Sequence, residues 1–268
     1  MKTIKITLLL FLCTFMVNGQ EIYTHSLSGI KKVKIITDTS IELTVGNSNQ
    51  LVINNAKRNK NHNDYDNDHS DRKKSRKDKS KGLKPLYANG NDNTGQGFEV
   101  IKDGNTLIVR DLKSFMKRNG FSIQLPKGMD VSLNCGNLGH AKITGITSDI
   151  EVITNVGHIE LINISGPVTA STNTGQITAV FSTVNQSNPI TLRSTTGDVD
   201  VSISSNTRAN LELRTTMGTV YTDFDFKVKK SKGLNSISGQ RKIQTKLNNG
   251  GVKISLKSTT GNVYLRKK

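Results

Sequence analysis

Ile150-Glu-Val152 … Gly157-His-Ile159-Glu-Leu161 is followed by Val168-Thr-Ala170 … Gly175-Gln-Ile177-Thr-Ala179, and then by Ile190-Thr-Leu192 … Gly197-Asp-Val199-Asp-Val201. In each copy two apolar residues alternate with polar ones. A glycine follows five positions after the second apolar residue, and two positions later the alternation resumes. The same register returns at Leu211-Glu-Leu213 … Gly218-Thr-Val220 and at Ile254-Ser-Leu256 … Gly261-Asn-Val263-Tyr-Leu265. Gly157, Gly175, Gly197 and Gly218 are spaced by 18, 22 and 21 residues, and Gly261 follows after 43, about two periods. A period near twenty made of period-2 strands predicts a β-solenoid, a β-helix-like coil.

The physics of one copy explains why it must stack. Alternation sends Val199 and Val201 to one face and Asp198, Asp200 and Ser202 to the other. One such unit cannot bury its apolar face, whereas stacking on a neighbour closes a continuous core. The four residues before each glycine form a corner, and glycine suits a corner because it takes positive φ without a Cβ clash. Thr, Ser and Asn at these corners are expected to hydrogen-bond to their equivalents in neighbouring coils. The predicted structural corner glycines are Gly139, Gly157, Gly175, Gly197, Gly218 and Gly261; one extra residue precedes Gly139.

Outside the repeat the alternation persists. It is present in Val33-Lys-Ile35, Ile41-Glu-Leu43-Thr-Val45, Leu51-Val-Ile53, Phe98-Glu-Val100, Leu107-Ile-Val109 and Phe121-Ser-Ile123-Gln-Leu125. No persuasive helical pattern occurs after residue 19. The expected fold is all-β: a single elongated β-solenoid of roughly 20-residue coils with a long charged loop insertion. Residues 20–53 would supply its N-terminal strands and 98–268 its repeats. Between them, 54–97 is polar, and Lys57–Lys84 holds eleven Lys/Arg against five Asp, a net +6. Such a run cannot bury enough surface to fold alone, so it is expected to be a disordered loop.

Residues 1–19 combine Lys2 and Lys5, the apolar run Leu8–Val17 and the small residue Gly19, the pattern of a signal peptide. Export to the periplasm or the cell surface is expected. Cleavage after Gly19 lowers the formal charge from +17 to +15 and leaves Cys135 as the one cysteine of the two. Cys135 beside Gly136 reads as a small packed thiol. With no Trp and 5% aromatic residues, stability must come from many small apolar contacts.

The chemistry-bearing candidates are few. Asp64-Tyr-Asp66-Asn-Asp68 has the alternation of a calcium loop, but His69 stands where such a loop needs glycine and Ser75 where it needs glutamate. His140 and His158 share a repeat position and are expected to stack, yet no third ligand is spaced to join them, so no metal is expected. Glu151, Glu160, Asp198, Asp200 and Glu212 point outward but are scattered among the coils, unlike the clustered carboxylates of β-helical polysaccharide-cleaving enzymes. No catalytic residue and no cofactor is therefore expected. The basic balance points to acidic glycans, lipopolysaccharide or another envelope surface as partners, and not to nucleic acid. Within the charged insertion, Arg72, Lys73, Lys74, Arg76, Lys77 and Lys79 are the candidate binding residues.

The order of these motifs resembles a known family. A strand ending Leu125-Pro-Lys-Gly128 leads into rungs such as Thr154-Asn-Val-Gly157-His-Ile and Ser194-Thr-Thr-Gly197-Asp-Val, closing with Asn249-Gly-Gly-Val … Ser258-Thr-Thr-Gly261-Asn-Val. This is similar to the bacterial putative-adhesin family, exported β-solenoid domains of undefined biochemical role. The resemblance implies a non-enzymatic cell-envelope protein whose solenoid presents a binding or adhesive surface, and it carries no catalytic residues across. A β-helix carbohydrate-active enzyme and a self-associating structural envelope component remain the alternatives.

Overall fold

The computed structural model describes residues 22–55, 81–113, 120–225 and 241–268; the proposed signal peptide and most of the charged insertion lie outside them. Every regular element among the described residues is a β-strand. The N-terminal part contains β1 (Ile22–Ser26), β2 (Lys32–Ile36), β3 (Ile41–Val45), β4 (Gln50–Asn55), β5 (Phe98–Asp103), β6 (Thr106–Asp111) and β7 (Phe121–Leu125). The repeat then runs through β8 (Asp130–Asn134), β9 (Ala141–Thr144), β10 (Ile150–Val156), β11 (Ile159–Ile164), β12 (Val168–Thr174), β13 (Ile177–Phe181), β14 (Ile190–Thr196) and β15 (Val199–Ile203). The chain finishes with β16 (Ala209–Thr215), β17 (Val220–Thr222), β18 (Arg241–Leu247), β19 (Val252–Ser258) and β20 (Val263–Lys267).

These strands form two ten-stranded mixed sheets. The first has the order β1-β4-β7-β3-β9-β11-β13-β15-β20-β17, and the second β18-β16-β19-β14-β12-β10-β8-β2-β6-β5. From β8 to β15 the chain crosses from one sheet to the other at each corner, so each phrase of the repeat contributes one strand to each sheet. Pairing between successive phrases is parallel and in register. Ile150, Val168, Ile190 and Ile254 align across the second sheet, and Ile159, Ile177, Val199 and Val263 across the first. All eight are buried, because alternation turns them inward from both sheets. At about 1.5–3 kcal/mol per fully buried aliphatic side chain, these ladders are the main stabilising term.

The stacking order departs from the chain order at both ends. The rung β2–β3 sits between β6–β7 and β8–β9. At the other end β19–β20 is intercalated between β14–β15 and β16–β17. The 43-residue gap from Gly218 to Gly261 therefore does not hold two further coils in sequence. After β17 the chain returns as β18, antiparallel to β16, and only then enters the slot between β14 and β16. Antiparallel strands close the stack elsewhere as well: β4 on β7 and β1 on β4 in the first sheet, β5 on β6 in the second.

Both edges of the polar stretch 54–97 are ordered. Asn54 and Asn55 belong to β4, and Asn91–Gly97 is held against β5 by its own polar side chains. Asp92 accepts the backbone N–H of Thr94 and Gly97 at 3.0 and 2.8 Å, and Asn93 exchanges two hydrogen bonds with the Val100 backbone. Burial works against the charged Asp92 carboxyl, but the N–H and hydroxyl donors of Gly97, Thr94 and Gly95 outweigh it and hold its pKa below the ordinary value.

Candidate binding surface

The corners set the outer surface. A Cβ built on Gly157, Gly175, Gly197, Gly261 or Gly218 would overlap the carbonyl oxygen of Gly139, Gly157, Gly175, Gly197 or Gly261, respectively, in the adjacent rung. On Gly139 it would approach the carbonyl oxygens of Cys135 and Thr39 at 2.6 and 2.8 Å. Close backbone approach is thus the reason for glycine. Positive φ, the reason expected from sequence, applies to Gly175 and Gly197 (150° and 138°) but not to the other four.

For five of the six glycines, all but Gly139, the residue three before supplies the second half of the corner. The hydroxyls of Thr154, Thr172, Ser194, Ser258 and Thr215 donate to the carbonyls of Gly139, Gly157, Gly175, Gly197 and Gly261 at 2.8–3.1 Å. All five are buried, where an unpaired carbonyl would be costly. On the exposed side, Asn137, Asn155 and Asn173 form a side-chain ladder at 3.2 and 2.8 Å. Sequence predicted such ladders in kind, but the buried hydroxyls bond to glycine carbonyls and not to one another.

His140 and His158 do stack, with ring centroids 5.2 Å apart and planes 16° from parallel. Their work is structural. His140 Nδ1 accepts the His158 N–H at 2.9 Å, and His158 Nδ1 accepts the Gln176 N–H at 3.1 Å. Asp198 and Asn262 continue this scheme farther along the stack: Asp198 accepts the Asn262 N–H at 2.7 Å and Asn262 accepts the Thr219 N–H at 2.9 Å. The histidines border an open groove of about 530 Å³ with Glu42, Lys142 and Glu160. Among the described residues no three His, Cys, Asp or Glu side chains converge in a metal-binding group.

Four of the five outward acids, Glu151, Asp198, Asp200 and Glu212, are engaged separately. Asp200 receives both Nε and Nη2 of Arg266 at 2.8 and 2.9 Å, and Glu151 accepts the Ser132 hydroxyl at 2.9 Å. Cys135 is fully buried; burial first and the nearby Asp38 second push its pKa up to about 12. The six basic residues Arg72, Lys73, Lys74, Arg76, Lys77 and Lys79, and the Asp64–Asp68 stretch, lie outside the described residues.

A basic cluster that the sequence did not expose lies on the outer face of the second sheet. The strands β14, β19, β16 and β18 are neighbours, and their registers align Arg193, Lys257, Arg214 and Lys242 in one row. The next row is Thr191, Ser255, Glu212 and Gln244; beyond it come Lys253, Asn210 and Lys246. Six cations against Glu212 make this face +5. The neighbouring outward positions on β8, β10 and β12 are Asp130, Ser132, Asn134, Glu151, Ile153, Thr169 and Ser171, with no cation among them. Glu212 contacts Lys242, Lys253 and Lys257 at 3.9, 3.5 and 3.4 Å, with 13% of its side chain exposed. Burial disfavours its charged form, but Lys257 and Lys242, with hydrogen bonds from Lys257 and Lys253, prevail and lower its pKa. The row was illegible in sequence because its members come from four separate segments, and intercalation of β19 brings Lys257 between Arg193 and Arg214.

Comparison with solved structures finds similarity to a chain described as a putative cell adhesion protein from Clostridium sporogenes ATCC 15579, at 9% identity and TM-score 0.44, covering 92% of this chain and 98% of that one. A second similar chain, described as a putative adhesin from Bacteroides fragilis NCTC 9343, has 13% identity and TM-score 0.35, covering 91% and 95%. No curated protein matches the sequence. Residues 129–266, just over half of the chain, match the model of the Toastrack DUF4097 family, and the chain belongs to that family.

Proposed function

We propose that this protein is an exported, non-enzymatic, adhesin-like component of the cell envelope, whose rungs form one elongated β-solenoid that presents a binding surface. The observation that carries this reading is the +5 face over β14, β19, β16 and β18, where six cations stand around one carboxylate on the outer side of the sheet. The acids that a polysaccharide-cleaving site would use are spoken for elsewhere: Asp200 by Arg266 and Asp198 by the Asn262 backbone. The basic and apolar start of the chain, ending at Gly19, supports export.

The test is fractionation of the producing cell together with deletion of the protein. The mature chain should begin at Gln20, be found outside the cytoplasm, and be needed for attachment to a surface or matrix. A chain that keeps residues 1–19 in the cytoplasm, or a deletion strain with unchanged attachment, would overturn the proposal.

A further inference from the structure

The row Arg193–Lys257–Arg214–Lys242 costs the fold something. Like charges directly opposite one another on neighbouring strands repel, and here four follow in succession at the strand spacing of about 4.8 Å. Glu212, one row away, is the single carboxylate within the face, and three lysines are drawn onto it. Next to it, at the register position between Glu212 and Thr191, stands Ser255. Alternation turns Ser255 outward, between Lys253 and Lys257 on its own strand, yet it is only 3% exposed and its hydroxyl has no hydrogen-bond partner. Buried hydroxyls are normally paired. A self-repelling row beside an unpaired buried donor is the arrangement expected of a face that awaits an anionic ligand.

Building on the binding role proposed above, we infer that this face takes a linear acidic polysaccharide laid across the strands, with its carboxylates on Arg193, Lys257, Arg214 and Lys242. The match is one of repeat and dimension. A sugar ring is about as long as the gap between strands, so a polyuronate passes about one residue per strand; its carboxylates point to alternate sides of an extended chain, and those on the near side meet the row. A lipid surface would instead meet a plane of headgroups, whereas four of the six cations here stand in one line. Glu212 acts as the resident counter-ion: when a ligand carboxylate draws Lys253 and Lys257 away, Ser255 is uncovered and its hydroxyl can donate to a ligand oxygen.

The experiment measures binding of the exported chain to polygalacturonate at low and high salt, with fully methyl-esterified polygalacturonate and anionic phosphatidylglycerol vesicles alongside. Polygalacturonate should bind and weaken with salt, and its neutral ester should not bind. The variant R193Q/K257Q/R214Q/K242Q should bind about tenfold more weakly, the yield of four exposed ion pairs. Glu212→Gln should bind more tightly. Should the fourfold variant not fold, the single Lys242→Glu on the outermost strand serves in its place. Undiminished binding by the fourfold variant or by Lys242→Glu, or preference for the vesicles, would overturn the inference. If no polysaccharide binds while deletion still abolishes attachment, the ligand inference falls and the adhesin-like role stands.

Discussion

Gly261 packs directly on Gly197, although Gly218 lies between them in the chain. A Cβ on Gly261 would overlap the Gly197 carbonyl oxygen, and one on Gly218 would overlap that of Gly261. The segment β19–β20 is therefore an interior rung, flanked by β14–β15 on one side and β16–β17 on the other. Amides of β19 and β20 should consequently exchange with solvent as slowly as those of β14, despite their place near the C-terminus. Rapid exchange confined to β19–β20 would show that they form a loosely docked end.

Gly197 should tolerate no side chain. Its φ is 138°, and an added Cβ meets the Gly175 carbonyl. Strain and overpacking together make Gly197→Val cost about 3 kcal/mol or more in a denaturant titration. Gly128, where a Cβ has nothing within 4 Å, is the control, and Gly128→Ala should stay within about 0.5 kcal/mol of wild type. Equal effects at the two positions would contradict the close-approach explanation.

The Ser258 hydroxyl serves two rungs. It donates to the Gly197 carbonyl at 2.8 Å and accepts the Gly261 N–H at 2.9 Å. Ser258→Ala leaves both backbone groups short of a partner and should cost about 1–3 kcal/mol. Ser258→Thr keeps the hydroxyl, as Thr215 shows at the equivalent corner, and should recover most of that loss. A loss equal to that of alanine would mean that packing, and not the hydrogen bonds, sets the effect.

Cys135 should be silent in the native state. Its thiol is buried and its pKa pushed up to about 12, so almost no thiolate forms at neutral pH. Iodoacetamide should label it only after unfolding. Labelling of the folded protein at the rate of a free thiol would contradict this burial.

Glu212 links stability to pH. Its folded pKa is depressed below the unfolded value, so its contribution is fully present above the unfolded carboxylate pKa of about 4.3 and is lost as pH falls through the lower folded value. The melting-temperature advantage of wild type over Glu212→Gln should thus be constant near neutrality and shrink as pH falls below that point. An advantage independent of pH down to strong acid would remove the ion pairs as its source.

Much of this fold is legible in the residues themselves. Alternation at Val199-Asp-Val201 assigns the inner and outer faces, because side chains on a strand point in opposite directions. The glycine at a constant offset marks each corner, and the Thr, Ser and Asn before it mark the corner as hydrogen-bonded. Those are local rules, readable in any single copy. What the repeat cannot encode is which copy neighbours which. The phrases at Ile190, Leu211 and Ile254 carry nearly interchangeable patterns, and each could pair in register with any other. The choice that places β19 between β14 and β16 is made by chain connectivity, by the return through β18, and by the antiparallel pairing of β18 with β16. Only that choice brings Lys257 between Arg193 and Arg214 and sets Glu212 among three lysines. The strands and their faces were thus determined by sequence alone, whereas the charged face was decided by tertiary structure, because adjacency across a sheet depends on stacking order and not on distance along the chain.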